Sequence, residues 1–253
     1  MRGIVLCVGM LLAWPLAGQA AEPAAPTSVE FGAGAWVDVD ATGKAHVVEM
    51  DKLTGFNDDG KPGSLADIIK ARVRERIETW EFTPPTQGGT TVPGKTHIYV
   101  SLEALSSDGG GIAIRVESAT TGAKLANRQM GGLIETMMDY GYAGRVTVDV
   151  AWKNDGTVEA ANSAASPIGD KATPQSIPPK VLKAVLKVAR TWRFDPEIVA
   201  GNPISGHGTV PIAFCWYGKC PADETSEAKA PEPQFTALRP AVNLLTAVAG
   251  TVL

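Results

Sequence analysis

Several motifs that mark enzymes and nucleic-acid-binding proteins are missing from this chain of 253 residues. Phosphate-binding glycine loops and Gly-x-Ser-x-Gly elbows do not occur. None of the three histidines (His46, His97 and His207) has a cysteine, serine or carboxylate at catalytic-motif spacing, and His97, which alternates with Ile98 on a predicted strand, is expected to face solvent. The net charge is -4 without a long basic run. The sequence therefore shows no basic patch of the kind that binds nucleic acid or an anionic membrane. We expect no enzyme, no cofactor, no metal and no nucleic-acid partner.

Cysteine is scarce as well. Cys7 lies in the apolar N-terminal stretch, which leaves Cys215 and Cys220 for the rest of the chain. In an exported protein, two cysteines on either side of a tight turn indicate one disulfide. A redox pair is disfavoured because the spacing is not Cys-x-x-Cys, and a zinc site because no second pair of ligands is in view. We predict a Cys215–Cys220 disulfide that staples the end of a hairpin.

The N-terminal segment has the features of a secretory signal. Arg2 precedes an uncharged stretch over residues 3–21, most of which is apolar. Pro15 breaks the apolar run, and small residues follow at the two positions that signal peptidase reads. We expect residues 1–20 to be cleaved off as a signal peptide after Ala20. The alternative is an uncleaved membrane anchor, because residues 3–21 are just long enough to span a bilayer.

What the chain does contain is an internal duplication. Residues 191–196 repeat the pattern of residues 79–84 at a constant offset, since 192 − 80 and 196 − 84 both give 112. Residues 146–156 likewise line up with residues 33–43. Further on, three apolar residues of one copy fall opposite three of the other: Ile98, Val100 and Leu102 opposite Val210, Ile212 and Phe214. Such self-similarity indicates one small unit used twice.

Each copy is predicted to be a β-β-α-β unit in which a helix packs on a small antiparallel sheet, so the fold class is α+β. The units span residues 30–105 and 144–220. In the first, Ser64 and Asp67 form a capping pair ahead of apolar residues at helical spacing. In the second, residues 154–156 (Asn-Asp-Gly) mark a hairpin, and prolines precede the helix.

Two segments lie outside these units. In the bridging region, residues 106–143, Ile112 to Ser118 reads as a strand and Lys124 to Met130 is expected to return beside it as a hairpin. Leu133 to Tyr140 is a short helix or a cover over the sheet. Residues 221–253 form a polar linker and an apolar tail. The tail from Pro240 onwards is too short to span a bilayer, and a docked helix, an added strand and a disordered end all remain open.

One group of residues in the second unit carries a resemblance to a known family: 144–148, 154–156, 189–196 with its Trp-Arg-Phe-Asp-Pro, 201–203 and 210–214. Together they resemble the C-terminal domain of the TonB family, and the first unit resembles a degenerate copy of it. The resemblance implies a periplasmic domain that grips an extended peptide by adding it as a strand to its sheet. In that family the domain reaches outer-membrane receptors. The expected function is therefore binding of a protein partner in the cell envelope, with a role in outer-membrane transport.

The resemblance also places the binding edge on the last strand of the second unit. We predict as partner-binding residues Thr209, Val210, Ile212, Ala213 and Phe214. A bare edge strand offers unpaired N–H and C=O groups, which a visiting strand satisfies. Pro211 removes one donor, so it either protects this edge or sits where no bond is needed. Trp192 and Phe194 are expected in the core.

Two departures from the family leave other functions open. Its energy transducers retain an N-terminal helix with polar residues that face a proton-driven motor, whereas residues 3–21 contain no serine, histidine or charge. The transducers also have a long proline-rich spacer, whereas the leader here offers only Pro23 and Pro26. A membrane-anchored transducer and a structural cell-envelope protein are the alternatives. The edges of the two units could also pair with each other or with a second chain, which would give a homo-oligomer.

Overall fold

The computed structural model describes residues 28–106, 112–130, 133, 144–165, 178–214 and 235–253. The protein is α+β, with antiparallel strand pairs throughout these ranges. Several predictions lie outside the described residues: the signal peptide 1–20, the Cys215–Cys220 disulfide, the linker 221–234 and, apart from Leu133, the segment Leu133 to Tyr140. In the ranges that the structure describes, neither helix is both long and apolar enough to span a membrane.

In the described part of the first half, the chain forms one helix and eight strands. These are β1 (Ser28–Val39), β2 (Ala45–Met50), α1 (Leu65–Ile77), β3 (Phe82–Thr83), β4 (Thr86–Gln87), β5 (Thr90–Thr91), β6 (Gly94–Ser106), β7 (Ile112–Gly122) and β8 (Lys124–Asn127).

The residues described after position 143 form another helix and eight more strands. These are β9 (Gly144–Trp152), β10 (Val158–Ala165), α2 (Pro179–Ala189), β11 (Arg193–Asp195), β12 (Ile198–Val199), β13 (Asn202–Pro203), β14 (Gly206–Phe214), β15 (Thr236–Ala237) and β16 (Asn243–Leu244).

The first sheet has the strand order β13-β12-β6-β1-β2, and β7 also pairs with β6. Its two central strands pair along their whole length, from Ser28 opposite Leu105 to Val39 opposite Gly94. Side chains alternate between the faces of a strand, and the buried residues of one face form the core beneath helix α1: Phe31, Ala33, Ala35, Val37, Val39, Ile98, Val100 and Leu102.

Helix α1 begins where its sequence predicts. Ser64 Oγ accepts a hydrogen bond from the Asp67 N–H at 3.2 Å, and Asp67 accepts one from the Gly63 N–H at 3.0 Å. These bonds satisfy amide groups that a helix start leaves free. The predicted capping pair is therefore confirmed.

The second sheet has the strand order β10-β9-β14-β15. Helix α2 packs on β9 and β10. It buries Val181, Val185 and Ala189, and Trp192 just beyond its end has no exposed surface. The Trp192 Nε1–H donates to the Gln129 carbonyl at 3.2 Å, so the indole is buried with its one donor satisfied. Phe194 stacks on Trp152 with ring centroids 4.7 Å apart, which confirms the core positions predicted for Trp192 and Phe194.

The predicted return of Lys124 to Met130 beside β7 is wrong. β7 pairs with β6, whereas β8 pairs with β11 in the second half. The outer edge of β7 is already taken by the end of the chain, because the Val116 N–H donates to the Thr251 carbonyl at 2.8 Å. The Leu253 N–H likewise donates to the Ile114 carbonyl at 2.9 Å. β8 therefore has no free edge to return to.

The C-terminal segment 235–253, which includes the apolar tail, adopts the added-strand alternative and pairs at three edges. β15 pairs with β14 of the second sheet, and β16 pairs with β3 of the first half. The last residues of the chain extend β7. The tail thus holds both halves together through backbone hydrogen bonds and three buried side chains: Phe235, Val242 and Val248.

Candidate strand-addition edges

The predicted partner-binding residues lie on β14, the third strand of the second sheet. Val210 and Ile212 are 0% and 1% exposed. They belong to the core beneath α2 and are inaccessible to a partner's side chains. Thr209 is half-buried. Ala213 and Phe214 are described by their backbone, which pairs with Arg145 and Gly144 of β9.

The outer edge of β14 is covered over its first half by the tail. Gly208 and Thr209 pair with Ala237 and Thr236 of β15. The Leu238 N–H also donates to the His207 carbonyl at 3.0 Å. Backbone groups that a visiting strand would need at positions 207–209 are therefore already bonded within the chain.

Pro211 and Arg128 restrict the next part of this edge. Alternate residues of a strand direct their backbone groups to the same side, so Pro211, like His207, faces outwards and offers no N–H there. Its carbonyl accepts a hydrogen bond from Arg128 Nη2 at 2.9 Å. Of the two roles that the sequence leaves open for Pro211, the edge-protecting one fits this position.

β15 is fixed in place by Phe235. The ring of Phe235 lies edge-on to Trp152 and Phe194, with centroids 5.3 and 5.1 Å away. A side chain at Gly208 would overlap this ring, so glycine at that position is what lets the ring lie against β14. The tail is consequently an anchored part of the second sheet.

The end strand of the first sheet, β2, is capped by its own helix. The Val47 N–H donates to Glu78 Oε1 at 3.1 Å, and the Val47 carbonyl accepts from Arg74 Nη1 at 2.8 Å. Both side chains come from the α1 region and occupy the outward backbone groups of the edge. Soluble proteins commonly block exposed edges with charged side chains, and this edge is blocked at its middle residue.

The end strand of the second sheet, β10, faces a helix with different side chains. Helices α1 and α2 bury equivalent positions, because 181 − 69, 185 − 73, 189 − 77 and 192 − 80 all give 112. The two helices therefore present the same faces to their sheets. At this offset Arg74 corresponds to Leu186 and Glu78 to Arg190. Leucine cannot donate to a strand carbonyl, and arginine cannot accept from a strand N–H.

Ala161 is the counterpart of Val47 on this open edge. It pairs with Val150 as Val47 pairs with Val37, so its N–H and C=O point away from the sheet. Among the residues that the structure describes, no group bonds to them. β10 also lacks lysine and proline, and its one charge, Glu159, stands at the bulge of the strand. The part of the chain that the structure describes thus supplies none of the usual protective devices of an edge strand to β10.

A polar cluster lies where the first sheet meets the second half. His97 Nε2 is 2.8 Å from Asp51 Oδ2, and Lys124 Nζ is 2.6 Å from Asp51 Oδ1. These side chains line a cavity of about 100 Å³. The expectation that His97 faces solvent is wrong, since its side chain is 11% exposed. The His97 ring fits at this position because residue 34 is glycine. A Cβ on residue 34 would lie 2.9 Å from His97 Nε2. The described contacts of the His97 ring are with the Asp51 carboxylate and the ring of Trp36, so the cluster has the form of a structural joint.

The stability of this joint depends on pH. Burial alone would raise the pKa of Asp51, but hydrogen bonds from His97 and Lys124 outweigh it and hold the pKa below the ordinary 3.8. The carboxylate therefore stabilises the fold above its unfolded pKa, and this contribution is lost as pH falls through the lower folded pKa.

We expect Asp51→Asn to destabilise the protein by about 1–3 kcal/mol at pH 7. The loss should shrink as pH falls below the unfolded pKa of about 3.9, because the carboxylate is then protonated in the unfolded chain before it is protonated in the fold. Urea unfolding of the two proteins at pH 7 and pH 3 measures this difference. The exposed Asp38→Asn serves as control, and an equal loss at both pH values would contradict the assignment.

A wider groove of about 880 Å³ opens beside the turn between β1 and β2. Its lining includes both acidic and basic residues, among them Asp38, Lys44, His46 and Lys95. His46 Nδ1 lies 3.2 Å from Glu78 Oε1. Because the charges are mixed, the groove does not select an anion or a cation by sign.

Comparison with protein-family models, curated proteins and solved structures finds no match. The TonB resemblance therefore rests on the residues of the sequence alone. The geometry adds one feature to it: among the described residues, nothing caps the end strand of the second sheet as Arg74 and Glu78 cap its counterpart.

Proposed function

We propose that this protein binds a protein partner by strand addition to its second sheet. The observation that carries this proposal is the outward backbone of β10, which has no hydrogen-bonding partner among the described residues. An extended peptide would satisfy these groups, and its alternate side chains would supply specificity. The predicted edge at Thr209 to Phe214 remains a second candidate on the same sheet, although β15 and Pro211 limit its length.

We further propose that the chain consists of two copies of one β-β-α-β unit. In each sheet the first strand of the unit lies between the second and the last: β1 between β2 and β6, and β9 between β10 and β14. The matching burial of the two helices supports the same reading. On this proposal the first copy has become a support whose edge is closed, and the second has kept an open edge.

The proposed setting is the cell envelope, on the strength of the signal-like N-terminus and the TonB resemblance. The partner would be an envelope protein, such as an outer-membrane receptor, that presents an extended segment. A membrane-anchored transducer would share this binding mode and differ in keeping residues 3–21. A structural cell-envelope protein would instead bind purified peptidoglycan and show no affinity for peptides.

Selection of short random peptides on the full chain, followed by backbone N-methylation of a selected peptide, tests the proposed function. A strand bonds to its neighbour through alternate residues. Methylation should therefore weaken binding at every second position, by tenfold or more where one hydrogen bond of about 1.4 kcal/mol is lost. Fluorescence anisotropy gives these affinities. Failure to select any peptide, or a methylation profile without the two-residue period, would contradict strand addition.

A further inference from the structure

We infer that the partner strand occupies a groove between β10 and the flank of α2, and that its side chains alternate between apolar and basic. This inference rests on the proposed function and names the edge and the class of partner. It is carried by three features of the second half: the backbone of β10, the leucines of α2 and the carboxylate of Asp149.

The backbone of β10 forms the floor of this groove. The N–H and C=O groups of Ala161 point outwards and are unbonded within the described residues. Ala160 and Ala161 have small side chains, so the backbone of a visiting strand can approach to the normal spacing of about 4.8 Å. The first sheet has no such floor, because Arg74 and Glu78 occupy the corresponding groups of Val47.

The flank of α2 above β10 forms an apolar wall. At the offset of 112 (182 − 70 and 186 − 74), Leu182 and Leu186 replace Lys70 and Arg74 of the first half. Both leucines are half-buried, and Leu186 packs against the edge of the second core. Apolar side chains of the visiting strand that point to this face would complete the burial of the leucines.

The opposite face of the sheet carries an acidic group. Asn162 of β10 pairs with Asp149 of β9, and both side chains lie on the face away from α2. In the described ranges no lysine or arginine forms an ion pair with Asp149. A basic side chain opposite Asn162 would start one strand spacing of about 4.8 Å further out, and its long stem would let the charge reach back towards Asp149.

The two faces together define the partner. Successive side chains of a strand point to opposite faces, so residues facing α2 alternate with residues facing Asp149. The structure thus selects an extended segment with apolar residues at one set of alternate positions and lysine or arginine at the other. A second copy of β10 does not fit, because residues 158–165 contain no basic side chain and one valine.

Transfer of the first half's caps onto the second half tests this inference directly. Leu186→Arg combined with Arg190→Glu would place on α2 the pair that closes β2 in the first sheet. We expect this double variant to bind an alternating apolar–basic peptide at least tenfold more weakly than the wild type. The matched control, Arg74→Leu with Glu78→Arg, removes the caps of β2 and should leave peptide affinity unchanged. Circular dichroism and thermal unfolding of both variants verify that each is folded.

A second variant reports on the acidic face. Asp149→Asn should weaken binding of the lysine-containing peptide about three- to tenfold, and should leave unchanged the affinity of a peptide with norleucine in place of lysine.

The outcomes separate the two proposals. Peptide binding that ignores both variants and is lost in Ala213→Pro, on the part of β14 beyond β15, would overturn the β10 groove and leave strand addition standing. Absence of any peptide binding would overturn both, and a change in dimerisation in place of peptide binding would overturn the choice of partner.

Discussion

Phe235→Ala is expected to lower the free energy of unfolding by about 3–5 kcal/mol. The ring is 9% exposed and lies against two other aromatic rings of the second core, those of Trp152 and Phe194. Gly208 and Gly122 both lie against the segment around it, since a Cβ at either would meet Phe235 or Ala237. Removal of the ring leaves a cavity that this backbone cannot readily fill. It also releases β15 from the edge of β14.

Urea unfolding followed by tryptophan fluorescence measures this loss. Leu238→Ala, three residues further along the tail, is the matched control, because Leu238 is 50% exposed. Its expected cost is below about 0.5 kcal/mol. Equal effects of the two variants would show that the tail is not anchored through Phe235, and the description of β15 as a fixed strand would have to be abandoned.

Glu197→Ala is the second substitution with a large expected effect, a loss of about 2–4 kcal/mol at pH 7. Glu197 lies between β11 and β12 and is 4% exposed. Its Oε1 accepts from the Thr96 hydroxyl at 2.8 Å, and its Oε2 accepts from the Ala241 N–H at 2.9 Å. The Val242 N–H also donates to Oε1, at 3.3 Å. One carboxylate thus joins the second half, the first sheet and the tail, and alanine would leave the Ala241 and Val242 N–H groups without their acceptor.

The conservative variant Glu197→Gln keeps one acceptor oxygen and should lose less stability than Glu197→Ala. Burial raises the pKa of Glu197, and the hydrogen bonds offset this only in part. Glu197 therefore favours folding most below its unfolded pKa, and this contribution is lost as pH rises through the folded pKa. The pH dependence that Glu197 gives to the stability is thus opposite in sign to that of Asp51. Chemical unfolding of the three proteins between pH 4 and pH 8 checks the order and the slope. Equal stability of Glu197→Ala and the wild type would contradict the role of this carboxylate as a junction.

The sequence predicts those parts of the fold that depend on local patterns. Ile98, Val100 and Leu102 alternate as a buried strand must, and Ser64 caps the helix that follows it. Trp192 continues the apolar face of α2 into the core. In each of these cases neighbouring residues carry the whole signal, and the physical rule that links them spans only a few positions.

Such local rules do not predict which strands pair when the strands lie far apart in the chain. β12, β15 and β16 each contain two residues, too few to show a period, and their partners lie in distant segments. The predicted hairpin of the bridging region failed for this reason, because the end of the chain already occupies the edge of β7. His97 was misjudged because the space that accommodates it depends on Gly34 in a neighbouring strand.

The residue differences behind the proposed edge on β10 are visible in the sequence. The duplication sets Leu186 opposite Arg74 and Arg190 opposite Glu78. The meaning of these differences depends on the hydrogen bonds of Arg74 and Glu78 to Val47, which no pattern of residues reveals. The resemblance instead predicts β14 as the binding strand, and most of its outer edge is covered by the tail or restricted by Pro211.

Amide hydrogen exchange with and without a bound peptide tests the strand-addition account most directly. In the free protein the Ala161 amide should exchange rapidly, whereas the Val47 amide, bonded to Glu78, should be protected. Saturation with an alternating apolar–basic peptide should slow exchange at Ala161 and leave Val47 unchanged. Protection of Ala161 in the free protein, or peptide binding that slows exchange along β14 and not along β10, would contradict the account.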